Sequence, residues 1–96
     1  MNVRFLFPAE IEMLDAVAFY EKQVAGLGDS FLSIIAVAIG DLCAQPDSWP
    51  DIGDGTRKRP LRRFPYSVLY HIDEGDIVIV AVMHQRRRPH YWVERL

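Results

Sequence analysis

One cysteine in 96 residues, Cys43, leaves no partner for an internal disulfide and no companion thiolate for a zinc site. Histidine is also sparse: His71, His84 and His90 stand apart, without an HExxH pair or a closely spaced carboxylate–histidine set. Neither a metal nor a cofactor is expected. No glycine-rich loop follows a strand-like run, which excludes a phosphate-cradling loop or a dinucleotide fold; Gly26-Leu27-Gly28 lies between two helical patterns and reads as a turn. No unbroken apolar run reaches the roughly 18 to 20 residues that span a bilayer. The N-terminus lacks the basic start, apolar run and small-residue cleavage site of a signal peptide. With so little cysteine, these features predict a reducing, cytoplasmic setting and no membrane partner. Cations, finally, are almost missing from the first 56 residues, where Arg4 and Lys22 face nine acids.

What is present is an ordinary globular composition, half hydrophobic and one quarter charged. A chain of this size hides roughly two-thirds of its unfolded surface on folding, enough for one modest core. Residues 1–96 are therefore expected to form one domain. The net charge of −2 conceals a division, because residues 57–96 reverse the balance with nine cations against four acids. Nearly all of these cations are arginine, in two clusters: Arg57-Lys58-Arg59 with Arg62-Arg63, and Arg86-Arg87-Arg88 with Arg95. Such asymmetry points to an acidic partner.

Val3–Phe7 alternates as a short strand, and Pro8 suits the first turn of a helix. Ile11, Leu14, Val17, Ala18 and Phe19 or Tyr20 recur at helical spacing from Ala9 to about Ala25, with Glu10, Glu12 and Asp15 near the positive end. After the glycine turn, Asp29 or Ser30 is an N-cap candidate for a second helix. Its stripe is Phe31, Ile34, Ile35, Ala38, Ile39 and Leu42, with Cys43 at the end as a small buried residue. Gly40 inside it costs about 1 kcal/mol relative to alanine and suggests a close helix–helix approach. Pro46 to Gly55 is a loop, with Trp49 folded back on the core. Arg57–Arg63 is a basic strand candidate, and Pro60 puts it at a sheet edge. Tyr66–Ile72 and Ile77–Met83 are strands joined by a hairpin at Asp73-Glu74-Gly75-Asp76, the second apolar on both faces and so central. Pro89 suits a short terminal helix or turn. The pattern predicts an α+β fold: an N-terminal strand, an antiparallel two-helix hairpin on a small, twisted, mostly antiparallel sheet, and a short C-terminal helix or tail.

The arginines carry the functional signal. Guanidinium groups fork onto phosphates or carboxylates and stack on rings, and here they alternate with Phe64, Tyr66, Tyr91 and Trp92. Arg59, Arg62, Arg63, Arg86, Arg87, Arg88, Tyr91 and Trp92 are the candidate target-binding set, expected to gather in one exposed patch. Salt bridges to the acidic helices are the structural competitor. A catalytic set is also conceivable: Arg63 and Arg86 to stabilise charge, His84 as acid or base, and Tyr91 to assist proton transfer in RNA cleavage.

Four segments, Glu10 to Tyr20, Gly26-Leu27-Gly28-Asp29-Ser30-Phe31, Arg62-Arg63-Phe64-Pro65-Tyr66-Ser67-Val68-Leu69-Tyr70 and His84-Gln85-Arg86-Arg87-Arg88-Pro89-His90-Tyr91-Trp92, together resemble the RelE/ParE superfamily of toxins. The resemblance implies the toxin half of a type II toxin–antitoxin pair, of the kind called plasmid stabilisation proteins. The Arg-Phe-Pro-Tyr strand and the Arg-Pro-x-Tyr-Trp ending resemble the ParE side more closely. That side implies inhibition of DNA gyrase by binding, with no catalytic residue. The RelE side implies a ribosome-dependent mRNA endoribonuclease using Arg63, His84, Arg86 and Tyr91, and a third alternative is an inactive toxin fold that only binds its antitoxin. In each case the implied partner is a cognate antitoxin, a small ParD-like DNA-binding protein whose C-terminal segment wraps the toxin.

Overall fold

A computed structural model describes residues 1–96. The elements are β1 (Val3–Phe5), α1 (Phe7–Gln23), α2 (Leu27–Ala44), β2 (Arg57–Pro60), β3 (Tyr66–Asp73) and β4 (Asp76–His84), followed by one 3₁₀ turn over Val93–Arg95. The two helices and the sheet form the expected α+β arrangement. Strand order is β1-β4-β3-β2. Strands β2, β3 and β4 are antiparallel, whereas β1 joins β4 in parallel, so the sheet is mixed.

Local chemistry accounts for most of the boundaries. The first strand ends earlier than its alternation suggests, because Phe7 already opens α1 ahead of Pro8, whose absent N–H is harmless in a first turn. The second helix starts at Leu27, not after Asp29 or Ser30. Gly26 supplies a left-handed N-cap at φ 91°, and Asp29 falls in the first turn. The capping carboxylate comes from the preceding helix: Glu21 accepts the Gly26 N–H at 2.9 Å and the Gly28 N–H at 3.0 Å. An anion at a helix N-terminus satisfies free donors and favours the dipole. The β3–β4 turn is Glu74-Gly75, both at positive φ (51° and 85°), the geometry that matches strand twist in a two-residue hairpin. Strand β2 stops at Pro60, short of the expected Arg63, because Phe64 turns into the core while Leu61 N–H bonds to Tyr66 O. Pro60 does lie on an edge strand. After Pro89 the chain makes turns, and only Val93–Arg95 is helical.

The helices cover one sheet face. Phe31, Ile35, Ala38 and Leu42 of α2 meet Val68, Tyr70, Ile77, Ile79 and Val82, with Trp49 packed at the margin. The opposite face is closed by Trp92, which packs with Leu69, Val80 and Ala81. A bulge links the two cores. Tyr70 pairs with Ile79 and Leu69 with Ala81, so Val80 has no partner and the alternation of β4 reverses phase beyond it. Ile77 and Ile79 therefore face the helices, as does Val82, while Val80 and Ala81 face Trp92. Helix α2 has 18 residues and a mean hydropathy of 1.7, long and apolar enough on composition to cross a membrane, although its apolar stripe supplies the core here.

Helix α1 departs from its expected face. Of the expected residues only Val17 and Tyr20 pack on the core, together with Ala9, Met13 and Ala16, while Ile11, Leu14 and Phe19 are exposed. Phe7, Ile11 and Leu14 form a second apolar stripe roughly opposite the first, which is why spacing alone misplaces the buried side. Cys43 is half-buried rather than enclosed. The close helix approach occurs at Gly28, not Gly40. A Cβ on Gly28 would lie 2.9 Å from the Val17 carbonyl, whereas one on Gly40 would meet nothing within 4 Å. Gly28→Ala should therefore lower stability by about 1–3 kcal/mol, and Gly40→Ala should raise it by up to about 1 kcal/mol. Urea unfolding of both variants checks the opposite signs.

Candidate functional site

Strand β1 is three residues long, so it covers only the Ile77–Ile79 half of the β4 edge. Side chains complete the other half. Glu12 of α1 accepts the Val82 N–H at 3.1 Å, and Arg95 donates to the Val80 carbonyl at 3.0 Å. The same two side chains pair with each other through contacts of 2.8 and 2.9 Å. Tyr91 adds its hydroxyl, which donates to Glu12 at 2.6 Å. Burial is the main reason the Tyr91 phenol is pushed well above its ordinary range, reinforced by the hydrogen bond and the charge of Glu12. The bond to Glu12 likewise holds Arg95 in its charged form. This knot and buried Trp92 fix both ends of the C-terminal segment against the sheet.

Between β4 and the knot runs the exposed loop Gln85–His90, which carries Arg86, Arg87 and Arg88. The loop is tied at its start, where Arg86 N–H bonds to His84 Nδ1 at 3.0 Å. Arg87 stacks 4.0 Å above the Tyr91 ring, a cation–π contact that directs it along the surface. Arg87 and His84 also line a cleft of about 370 Å³ with Glu12, Asp15, Phe19 and Tyr66. None of the three loop arginines forms an ion pair within the chain.

The arginines do not gather into one patch. Arg59 is 8% exposed and paired with Asp41, with a second hydrogen bond to the Pro60 carbonyl. Arg57 donates to the Trp49 carbonyl at 2.6 Å and faces Asp47, and Arg95 belongs to the knot. Trp92 is 1% exposed, because its large apolar ring closes the open sheet face, so it is not available to a target. Arg62 and Arg63 are exposed on the β2–β3 loop and line a different cavity, with Ile34, Val37 and Arg59. Of the conceivable catalytic set, His84 ends β4, Arg86 follows it and Tyr91 packs nearby, while Arg63 lies on the β2–β3 loop, which meets the start of the arginine loop through Gln85 N–H to Pro65 O at 2.8 Å. The Tyr91 hydroxyl already donates its hydrogen bond to Glu12. No three His, Cys, Asp or Glu side chains stand close enough to hold a metal ion. Glu12 went unrecognised in the sequence, where it reads as an ordinary first-turn acid.

The family model for the ParE toxin of type II toxin–antitoxin systems (parDE) matches residues 3–89. The chain belongs to the ParE toxin family. No curated protein matches it. A solved structure, the chromosomal ParDE toxin–antitoxin system from P. aeruginosa, is similar at a TM-score of 0.65 and 14% identity, covering 88% of this chain and 95% of that one. At that identity the likeness shows a shared fold: two helices on a small open sheet. Tyr91, Trp92 and Arg95 lie beyond the matched residues, so the ParE-family match covers β4 and the arginine loop but not the side chains that fasten the loop's far end.

Two substitutions test the knot. Glu12→Ala strands the Arg95 charge and the Val82 N–H, and should cost about 2–4 kcal/mol in urea unfolding; exposed Glu10→Ala should stay within about 0.5 kcal/mol. Tyr91→Phe should lower stability by about 1–2 kcal/mol at neutral pH. Because the folded state holds the Tyr91 proton more tightly than the unfolded chain, that contribution is complete below the ordinary tyrosine value of 10.0 and is lost as pH rises through the folded value. The gap between wild type and Tyr91→Phe should therefore narrow above pH 10, measured by unfolding at successive pH values.

Proposed function

We propose that this ParE-family chain acts as a cytoplasmic toxin that inhibits DNA gyrase by binding, and that a cognate, ParD-like DNA-binding antitoxin neutralises it. The observation that carries this reading is the exposed Arg86-Arg87-Arg88 loop, free of internal ion pairs and fastened at one end by β4 and at the other by Trp92 and the Glu12 knot. A charged loop held in one geometry presents a poised surface to an acidic target while losing little conformational entropy on binding. Arg87, Arg88 and the rim of Tyr91 form the target contact, with Arg86 beside them.

Binding fits this surface better than catalysis does. RNA cleavage requires an acid, a base and a charge-stabilising group around one phosphate. Here the His84 Nδ1 accepts a backbone N–H, and the Tyr91 hydroxyl is bound to Glu12.

Induction without an antitoxin should arrest growth with a DNA-damage response, and the purified protein should inhibit gyrase supercoiling while leaving ribosome-bound mRNA intact. Arg87→Glu with Arg88→Glu should reduce that inhibition by at least tenfold, a loss of about 1.4 kcal/mol or more, while the chain stays folded, with stability lowered by about 1 kcal/mol for the lost stacking of Arg87 on Tyr91. Cleavage of mRNA on ribosomes that is lost in His84→Ala would instead make the chain a nuclease. Absence of any growth arrest would leave it an antitoxin-binding fold alone.

A further inference from the structure

The cleft beside the arginine loop, about 370 Å³ in volume, carries two opposite charges that do not meet. Asp15 of α1 and Arg87 both line it, and neither belongs to an ion pair within the chain. Arg87 lies instead over the Tyr91 ring, and the exposed Asp15 carboxylate is left as an open acceptor. The neighbouring Glu12 is not open in this way, because Val82 N–H, Tyr91 and Arg95 already occupy both of its oxygens. Aromatic rings complete the lining. Phe19 is 55% exposed and set edge-on to Tyr20, and Tyr66 meets His84 edge to face at 5.0 Å. Burial, then Tyr20, Asp15 and Glu12, push the Tyr66 phenol above its ordinary range, so its hydroxyl keeps its proton. His84 Nδ1 accepts the Arg86 N–H, so the neutral ring carries its proton on Nε2 as a second donor. The cleft therefore offers an anionic acceptor, a cation, two neutral donors and aromatic surface, in a volume typical of small-molecule sites.

We propose that this cleft binds a guanine nucleotide, with the base against Phe19 and Tyr66, its donor edge on Asp15 and its phosphates on Arg87. The identity of the base follows from Asp15. A carboxylate accepts two hydrogen bonds side by side, and guanine alone among the common bases presents two adjacent donors, N1–H and the N2 amine. Adenine and cytosine set a ring-nitrogen acceptor beside their amine, which would face the carboxylate lone pairs. Uracil and thymine have one N–H between two carbonyls. The Tyr66 hydroxyl and His84 Nε2–H are the donors available to guanine O6 and N7. Aromatic rings supply a stacking surface, and the guanidinium fork matches a phosphate. A free nucleotide suits the cleft better than a strand. A continuing phosphate backbone needs cations along its path, whereas the first turns of α1 carry Glu10, Glu12 and Asp15. The site does not rest on the toxin reading, although it shares Arg87 with the target contact, so nucleotide and target would compete for that side chain.

The probe is guanosine diphosphate (GDP), titrated into the isotope-labelled full chain by NMR. Saturable shifts should centre on Asp15, Phe19, Tyr66, His84 and Arg87. Adenosine diphosphate (ADP) should bind at least tenfold more weakly, because a site built to accept two hydrogen bonds rejects a base that cannot donate them. Guanosine without phosphate should also lose at least tenfold. Asp15→Asn should weaken GDP binding at least tenfold and ADP binding less than twofold, with unchanged thermal unfolding, since Asp15 is exposed and unpaired. Arg62→Glu with Arg63→Glu, on the other basic surface, should change GDP affinity less than twofold. The proposal is overturned if no saturable shift appears by about 10 mM GDP, if ADP or pyrophosphate binds as tightly as GDP, or if Asp15→Asn leaves GDP affinity unchanged. It is overturned equally if a guanine-containing RNA trinucleotide binds here more tightly than GDP. None of these readouts involves gyrase, an antitoxin or growth arrest, so failure here is distinct from failure of the toxin reading.

Discussion

Half of the β4 edge lacks a neighbouring strand, and the Glu12 carboxylate takes that strand's place. The bulge at Val80 reverses the strand's phase, and beyond it the Val80 carbonyl and the Val82 N–H meet side chains instead of β1. Exposed edge groups invite pairing with other chains, and buried ones without partners are costly. Glu12 and Arg95 satisfy both groups and each other, while Tyr91 occupies the carboxylate oxygen that also meets Arg95 Nη2. Three parts of the chain thus meet at one anion: the first helix, the central strand and the C-terminal turn. Removing any one member strands the others in a half-buried setting, so the set acts as a unit.

Pairing of the same kind removes other charges of the arginine-rich half from the surface. Arg59 is drawn to Asp41, Arg57 to the Pro46–Pro50 loop and Arg95 to Glu12. The acidic first half of the chain therefore neutralises part of the basic second half by direct contact. What remains exposed is divided between two turns, Arg62–Arg63 after β2 and Arg86–Arg88 after β4. Each turn is closed by backbone hydrogen bonds and lies next to a buried aromatic anchor, Phe64 in one case and Trp92 in the other. The ParE-family chain thus carries two small basic surfaces of different composition, one beside aliphatic side chains and one beside tyrosine.

Much of this architecture was legible in the sequence, and the misreadings share a cause. The β3–β4 hairpin was visible because Glu74-Gly75 satisfies a local backbone demand, and central β4 was visible because both faces are apolar. Edge strand β2 was marked by Pro60. Helix α1 was misread because it has two apolar stripes, and burial depends on which one meets the sheet. The cap of α2 was misplaced because its anion comes from Glu21, on another helix. Gly40 looked like a contact glycine, yet Gly28 makes the contact. In each case a local signal was present and its partner was not local.

Composition and periodicity by themselves determined the element order, the α+β class, the edge and central strands, and the presence of far more arginine in the second half than solubility requires. These follow from hydrogen bonding and hydrophobic spacing within a few residues. Only the tertiary structure decided which arginines are exposed, that Trp92 is core, and that Glu12 is the pivot. Those outcomes depend on groups brought together from distant parts of the chain, Glu12 and Arg95 standing 83 positions apart, and ion pairing is governed by distance in space rather than position in sequence.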